Sequence, residues 1–117
     1  AGDSIVSEFP SNEAAARCAI NIQTEMSRLN MGSVAERKMI FRVGVNYGSV
    51  MDSEGNVFGD TVNVASRICD ACKEIDAEVL FSDKVMSEIN ENLSSEVVSK
   101  FSIRGRKEKI DLHKISV

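Results

Sequence analysis

The sequence predicts an α/β fold in the broad sense, an α+β sandwich with helices packed on a mixed, largely antiparallel sheet. Three observations carry this. Amphipathic stretches alternate with short apolar runs in the order β-α-β(β)-α-β-α-β-β. The last two runs follow each other with only a basic turn between them, which makes a terminal hairpin. The 117 residues suit a single domain, 1–117, and the balance of 43% hydrophobic to 27% charged residues is that of a globular chain.

Residues 4–9 read as a short strand stopped by Pro10. Ser11 or Asn12 then caps a helix with Glu13 in its first turn, and Ala15, Cys18, Ala19, Ile22, Met26 and Leu29 form its apolar stripe to about Asn30. Gly32 to Lys38 is a loop. Ile40 to Asn46 is a strand with Phe41, Val43 and Val45 on one face; Ser49-Val50-Met51 can continue it. Gly44 and Gly48 mark a bulge, a bend or a close approach. The cluster Asp52 to Asn56 is a turn. A second helix runs from about Asp60 to Glu74, with Val64, Ile68, Ala71, Cys72 and Ile75 on its apolar side and Asn63, Arg67, Asp70 and Glu74 on its polar side. Glu78 to Phe81 is a buried strand, and Ser82 caps a third helix carrying Val85, Met86, Ile89 and Leu93. Val97 to Arg104 and Lys109 to Val117 are the strands of the hairpin.

Composition removes several function classes. There are 14 basic against 18 acidic side chains, a net charge of −4, and the pI is about 5.0, which argues against nucleic-acid binding. No apolar run approaches the ~20 residues that span a bilayer. An odd count of three cysteines gives no disulfide framework and fits a reducing, cytoplasmic setting. The chain opens on Ala1; removal of an initiator Met or excision from a longer protein both fit that start.

Chemistry concentrates in Phe58-Gly59-Asp60-Thr61-Val62-Asn63-Val64-Ala65-Ser66-Arg67, where a glycine turn feeds a helix that shows an amide and a guanidinium one turn apart. An Asn can hydrogen-bond a sugar oxygen, and an Arg can neutralise charge developing on a phosphoryl group. On spacing alone such a pair is more often a solvated face. Asp3 after Gly2 could hold a hard divalent cation, though a turn residue is the commoner explanation. The basic turn Arg104-Gly105-Arg106-Lys107 could grip phosphate or simply be a solvated hairpin end. Cys69 and Cys72 lie inside a helix with no second pair, so packed thiols suit them better than redox or zinc chemistry. His113 reads as structural or exposed.

These stretches together resemble the class III nucleotidyl cyclase catalytic domain. Gly2-Asp3-Ser4-Ile5-Val6-Ser7-Glu8-Phe9 before a long helix, and Phe41-Arg42-Val43-Gly44-Val45-Asn46-Tyr47-Gly48-Ser49-Val50, are similar to it. Phe58 to Arg67 is close to the family signature, and the bacterial adenylate cyclase branch is the nearest variant. The resemblance implies a ferredoxin-like cyclase palm. It also implies conversion of a nucleoside triphosphate, ATP by that branch, to a 3′,5′-cyclic nucleotide and pyrophosphate, with magnesium or manganese as cofactor. By the same resemblance Asp3 matches the second of two metal aspartates, Asn63 the ribose-orienting asparagine and Arg67 the transition-state arginine. Asn56 falls at a base-selecting position, and Arg106 near a triphosphate-binding one. Sites lie between two domains set head to tail, so a homodimer would carry two; fused sensor domains are common.

The family's first metal aspartate and its base-selecting lysine belong before Gly2. The 117 residues are therefore expected to correspond to the C-terminal two-thirds of such a domain and to be inactive alone. The uncovered side of the sheet is expected to invite pairing with another chain or domain swapping. Alternatives are a guanylate cyclase, a catalytically inactive cyclase-homology module for dimerisation or regulation, and a plain ferredoxin-like interaction domain. A diguanylate cyclase should carry a Gly-Gly-Asp/Glu-Glu-Phe turn, which is absent.

Overall fold

A computed structural model describes residues 4–34, 40–53, 56–89, 93–102 and 107–116. The elements are α1 (Asn12–Asn30), β1 (Val43–Val45), β2 (Met51–Ser53), β3 (Asn56–Phe58), α2 (Asp60–Ile75), β4 (Val79–Ser82), α3 (Asp83–Glu88), β5 (Ser95–Ser102) and β6 (Lys109–Ile115). One sheet has the order β1-β4-β6-β5; β1 and β4 are parallel, the other two pairings antiparallel. β2 and β3 form a separate hairpin. This is the mixed, mostly antiparallel sheet that the residue pattern predicts.

Alternation along the strands divides the core into two. Leu80 and Leu112 face α2, where they meet Val64, Ile68, Ala71 and Cys72. Val79, Phe81 and Ile115 face the other way, toward Ala16 and Ala19 of α1 and Val85 of α3. Every residue of β4 is buried, as a strand covered on both faces requires. β1 forms one edge of the sheet. Val43 and Val45 lean toward the α1 side, while Gly44 meets α2 so closely that a Cβ there would collide with the Cys69 backbone nitrogen and lie 2.9 Å from the Ala65 carbonyl oxygen.

α1 starts where the sequence indicates: Ser11 has extended dihedrals and its hydroxyl accepts from the Ala14 N–H at 3.1 Å. Its buried face is rotated from the expected stripe, however. Ala16, Ala19 and Gln23 are buried, whereas Cys18, Ile22 and Met26 are half-buried and Leu29 is exposed. Small side chains let the helix lie close to the sheet, and the bulkier apolar ones fall to its flank. Gln23 is polar and buried because its amide bridges two segments. Its Nε2 donates to the Phe41 carbonyl at 2.7 Å and to the Glu78 carbonyl at 3.4 Å. It thereby ties α1 to the chain entering β1 and β4.

Other expectations need correction. Residues 4–9 form no strand among the described residues: they are exposed, Ile5 by 90%, and such an apolar run gains no burial to hold it extended. The strand expected over 40–46 contracts to Val43–Val45, the Phe41 carbonyl being taken by Gln23. Met51 starts the separate hairpin rather than extending β1. Ser82 precedes α3, but its hydroxyl makes no cap bond, and α3 stops at Glu88, short of Leu93. β5 begins two residues early, at Ser95. His113 is structural, its Nε2 lying 3.0 Å from Asp83 Oδ1 at the start of α3.

The packing makes two predictions. Gly44→Ala should destabilise the fold by about 3 kcal/mol, because two backbones would have to separate; stiffening the unfolded chain returns only about 0.4–1 kcal/mol. Urea denaturation measures the difference. Burial pushes the Cys72 thiol from its ordinary 9.0 up to about 12. Between those values the unfolded chain gives up a proton that the native chain keeps, so stability falls as pH rises. Cys72→Ala should remove that contribution, about 1.4 kcal/mol per pH unit. Denaturation of both proteins across alkaline pH would show the wild-type slope to be the steeper.

Candidate active site

The hairpin β2–β3 runs into Gly59, whose φ of 124° suits a residue without a side chain, and α2 begins at the next position. Asp60 sits in the first turn, where a carboxylate complements the helix dipole. The Asn63 N–H donates to the Gly59 carbonyl at 3.1 Å and closes the first helical turn. Burial of Val64, Ile68, Ala71 and Cys72 against the sheet fixes the rotation of the helix. Asn63 is thereby exposed, and Arg67, one turn further on, is half-buried on the same side. Among the described residues neither side chain has a hydrogen-bond partner.

Asn56 stands in β3, paired with Ser53, three positions before the glycine that opens α2. The strand containing a proposed base-selecting residue and the helix carrying Asn63 and Arg67 are thus joined by a single residue, Gly59. Asp3 and Arg106 lie outside the described residues. The described residues contain no group of three or more His, Cys, Asp or Glu placed to hold a metal ion. No helix among them is long and apolar enough to cross a membrane.

The thiols are packed, as the sequence indicates. Cys72 is buried, with its Sγ donating to the Val43 carbonyl at 3.6 Å; Cys69 Sγ donates to the Arg42 carbonyl at 3.3 Å. Burial, assisted by the neighbouring Asp70 carboxylate, raises the Cys69 thiol as well. These are poor nucleophiles at neutral pH. An open apolar groove of about 590 Å³ lies along α1, lined by Cys18, Ile22, Met26 and Phe41 among others. Arg17, Asn21 and Glu25 also line it, and it contains neither Asn63 nor Arg67.

One residue that touches the start of α2 has no role that the sequence names, although it lies in the family-like stretch Phe41 to Val50. The side chain of Asn46, just past β1, donates from Nδ2 to the Thr61 carbonyl at 3.1 Å. Its sequence signals are that family-like stretch and its position, a polar residue ending an apolar strand two residues before Gly48.

The family model that matches residues 2–116 is the adenylate and guanylate cyclase catalytic domain. A Rhizobium meliloti (strain 1021) protein named "Putative adenylate cyclase 3" is 42% identical over 67 residues, 57% of this chain and 11% of that protein. The "Adenylate cyclase, terminal-differentiation specific" of Dictyostelium discoideum is 23% identical over 131 residues, covering 97% of this chain and 6% of its own. An adenylate/guanylate cyclase/hydrolase from Silicibacter pomeroyi has the same fold at a TM-score of 0.72 and 25% identity, over 93% of this chain and 64% of that one. The present chain is therefore a small part of the length of those curated relatives, 11% and 6%. With the family model spanning nearly all of it and a solved cyclase sharing its fold, the chain belongs to the adenylate and guanylate cyclase catalytic domain family.

Proposed function

We propose that the chain is the C-terminal part of an adenylate cyclase catalytic domain working in the cytoplasm, converting ATP to 3′,5′-cyclic AMP and pyrophosphate. The observation that carries this reading is the pair Asn63 and Arg67, presented from one helical turn with no partner among the described residues. In the reaction the ribose 3′ oxygen forms a bond to the α-phosphorus while the bond to the bridging oxygen breaks. Pyrophosphate leaves with the electron pair, and the 3′ proton passes to solvent. Asn63 hydrogen-bonds the ribose and aligns its 3′ oxygen for in-line attack. Arg67 places its fork of N–H donors on the α-phosphoryl oxygens as charge spreads over them.

Asn56 contributes to base selection, since an amide both donates and accepts; the adenylate cyclase names of the relatives support ATP over GTP. Arg106 meets the triphosphate. Cyclases of this family generally work as dimers with divalent metals. Here Asp3 would hold magnesium or manganese, which would supply charge neutralisation at the triphosphate. A head-to-tail homodimer would join the α2 face of one protomer to the metal-binding edge of its partner.

The 117 residues match one family metal aspartate, so on their own they should turn over ATP negligibly with manganese; robust turnover would overturn the assignment of Asp3 as half of a required pair. In a polypeptide that carries this domain with a second metal carboxylate, cyclic AMP should form, faster from ATP than cyclic GMP from GTP. There Arg67→Ala and Asn63→Ala should each lower kcat about 100-fold with the melting temperature unchanged. Arg67→Lys should recover only part, because it keeps the charge and loses the fork. Full activity in either alanine variant would remove the basis of the proposal.

A further inference from the structure

We propose that Asn46 is a positioning residue: it sets the start of α2 and, through it, the placement of Asn63 against a nucleoside triphosphate. The proposal rests on the cyclase reading above. Its basis is the way the first turn of α2 is held. Gly59 occupies the cap position and offers no side-chain oxygen, so the usual means of fixing a helix start is missing. The turn is held from outside instead. Asn46 Nδ2 donates to the carbonyl of Thr61, the second residue of the helix, at 3.1 Å. That oxygen has two lone pairs and can serve the helix ladder as well.

The side chain of the same threonine lies close against Gly48. A Cβ at Gly48 would lie 2.5 Å from Thr61 Oγ1, so the backbone there approaches closely because it lacks one. Further along, Gly44 abuts Ala65 and Cys69. The chain of β1 and its exit therefore grips α2 at two levels, Thr61 and Ala65 to Cys69. Two points fix the axis of a helix, and the buried Val64 and Ile68 fix its rotation. Asn63 lies two residues beyond the Thr61 anchor and Arg67 six. Release of the first point leaves the packed second half of α2 in place and lets the turn bearing Asn63 drift. Misplacement of reacting groups by about 1 Å lowers rates by as much as 100-fold.

The donor is what matters in this assignment. Asn46→Asp keeps the shape and sets a carboxylate against a carbonyl; Asn46→His keeps an N–H near the same point. Amide hydrogen exchange on the 117-residue chain is the first measurement. Asn46→Asp should speed exchange at Asn63 and Val64 at least tenfold and leave Ile68 to Cys72 protected, and Asn46→His should restore protection. Asn46→Ser, smaller and uncharged, is measured beside them in case the Asp variant does not fold. Exchange that rises evenly along α2 in both, or at neither site, overturns the proposal.

The second measurement uses a longer polypeptide whose wild type forms cyclic AMP. There Asn46→Asp should lower kcat at least tenfold, with KM for ATP within about threefold and the melting temperature held. In an Asn63→Ala background the same change should add less than twofold, because the anchor acts through that residue. A full additional loss in that background overturns it, as does equal loss in the Asp and His variants. Exchange behaving as expected in a protein that cyclises no nucleotide would instead sink the cyclase reading, and the catalytic role with it, leaving the anchor as a feature of the fold.

Discussion

The approach of α2 to β1 at Gly44 is the constraint on which the rest of the arrangement depends. Two backbones meet where any side chain would intrude, so helix and edge strand act as one piece. The consequences spread in both directions. Toward the core, the contact seats Cys72 and Ile68 against the sheet, and the two thiols use the Arg42 and Val43 carbonyls as acceptors on a strand edge. Toward solvent, it decides which side of α2 faces outward, and that side carries the amide and the guanidinium. A side chain at position 44 would therefore disturb a site that it does not touch.

β4 gives this piece its foundation. It is buried on both faces and pairs with β1 on one side and β6 on the other. Its parallel partner β1 would otherwise be a short edge strand of three residues, weak by itself. Two supports reinforce it: α2 pressed on one face, and Gln23 reaching from α1 to the carbonyls of Phe41 and Glu78 at the strand entrances. A buried amide with both donor contacts satisfied gives direction that a hydrocarbon could not, because it specifies which carbonyls must lie beside it.

Much of this is legible in the residues. α2 can be read almost to its ends because Val64, Ile68, Ala71, Cys72 and Ile75 recur at helical spacing and the opposite side is polar. Ser11 announces the start of α1, and Gly44 and Gly48 signal close approach, although not the partner that approaches. The signature pair comes from family likeness; spacing alone would leave it a solvated face. What the residues conceal has physical causes. The bulky residues of α1 suggest the buried stripe, whereas closeness to the sheet selects Ala16 and Ala19. Gln23 continues that small-residue face at helical spacing, and its polarity argues misleadingly for the surface. Residues 4–9 have the alternation of a strand, but a strand needs a partner, which no local pattern supplies. Asn46 stands in a family-like stretch that names no role for it, and only the fold brings it to Thr61.

The layout separates the forces that hold the domain from those that would do chemistry. On α2 the buried side carries Val64, Ile68, Ala71 and Cys72, whose removal from water favours folding. The opposite side carries Asn63, exposed, and Arg67, half-buried, which lie outside the packed core. Both sets ride on one rigid helix, so the first positions the second without being altered by it. An arginine left in water is held weakly and is screened by salt; covered by a nucleotide and a second protomer, the same charge would act in a medium where it counts for far more. Within the chain, the two grips of β1 and its exit on α2 decide where Asn63 and Arg67 stand.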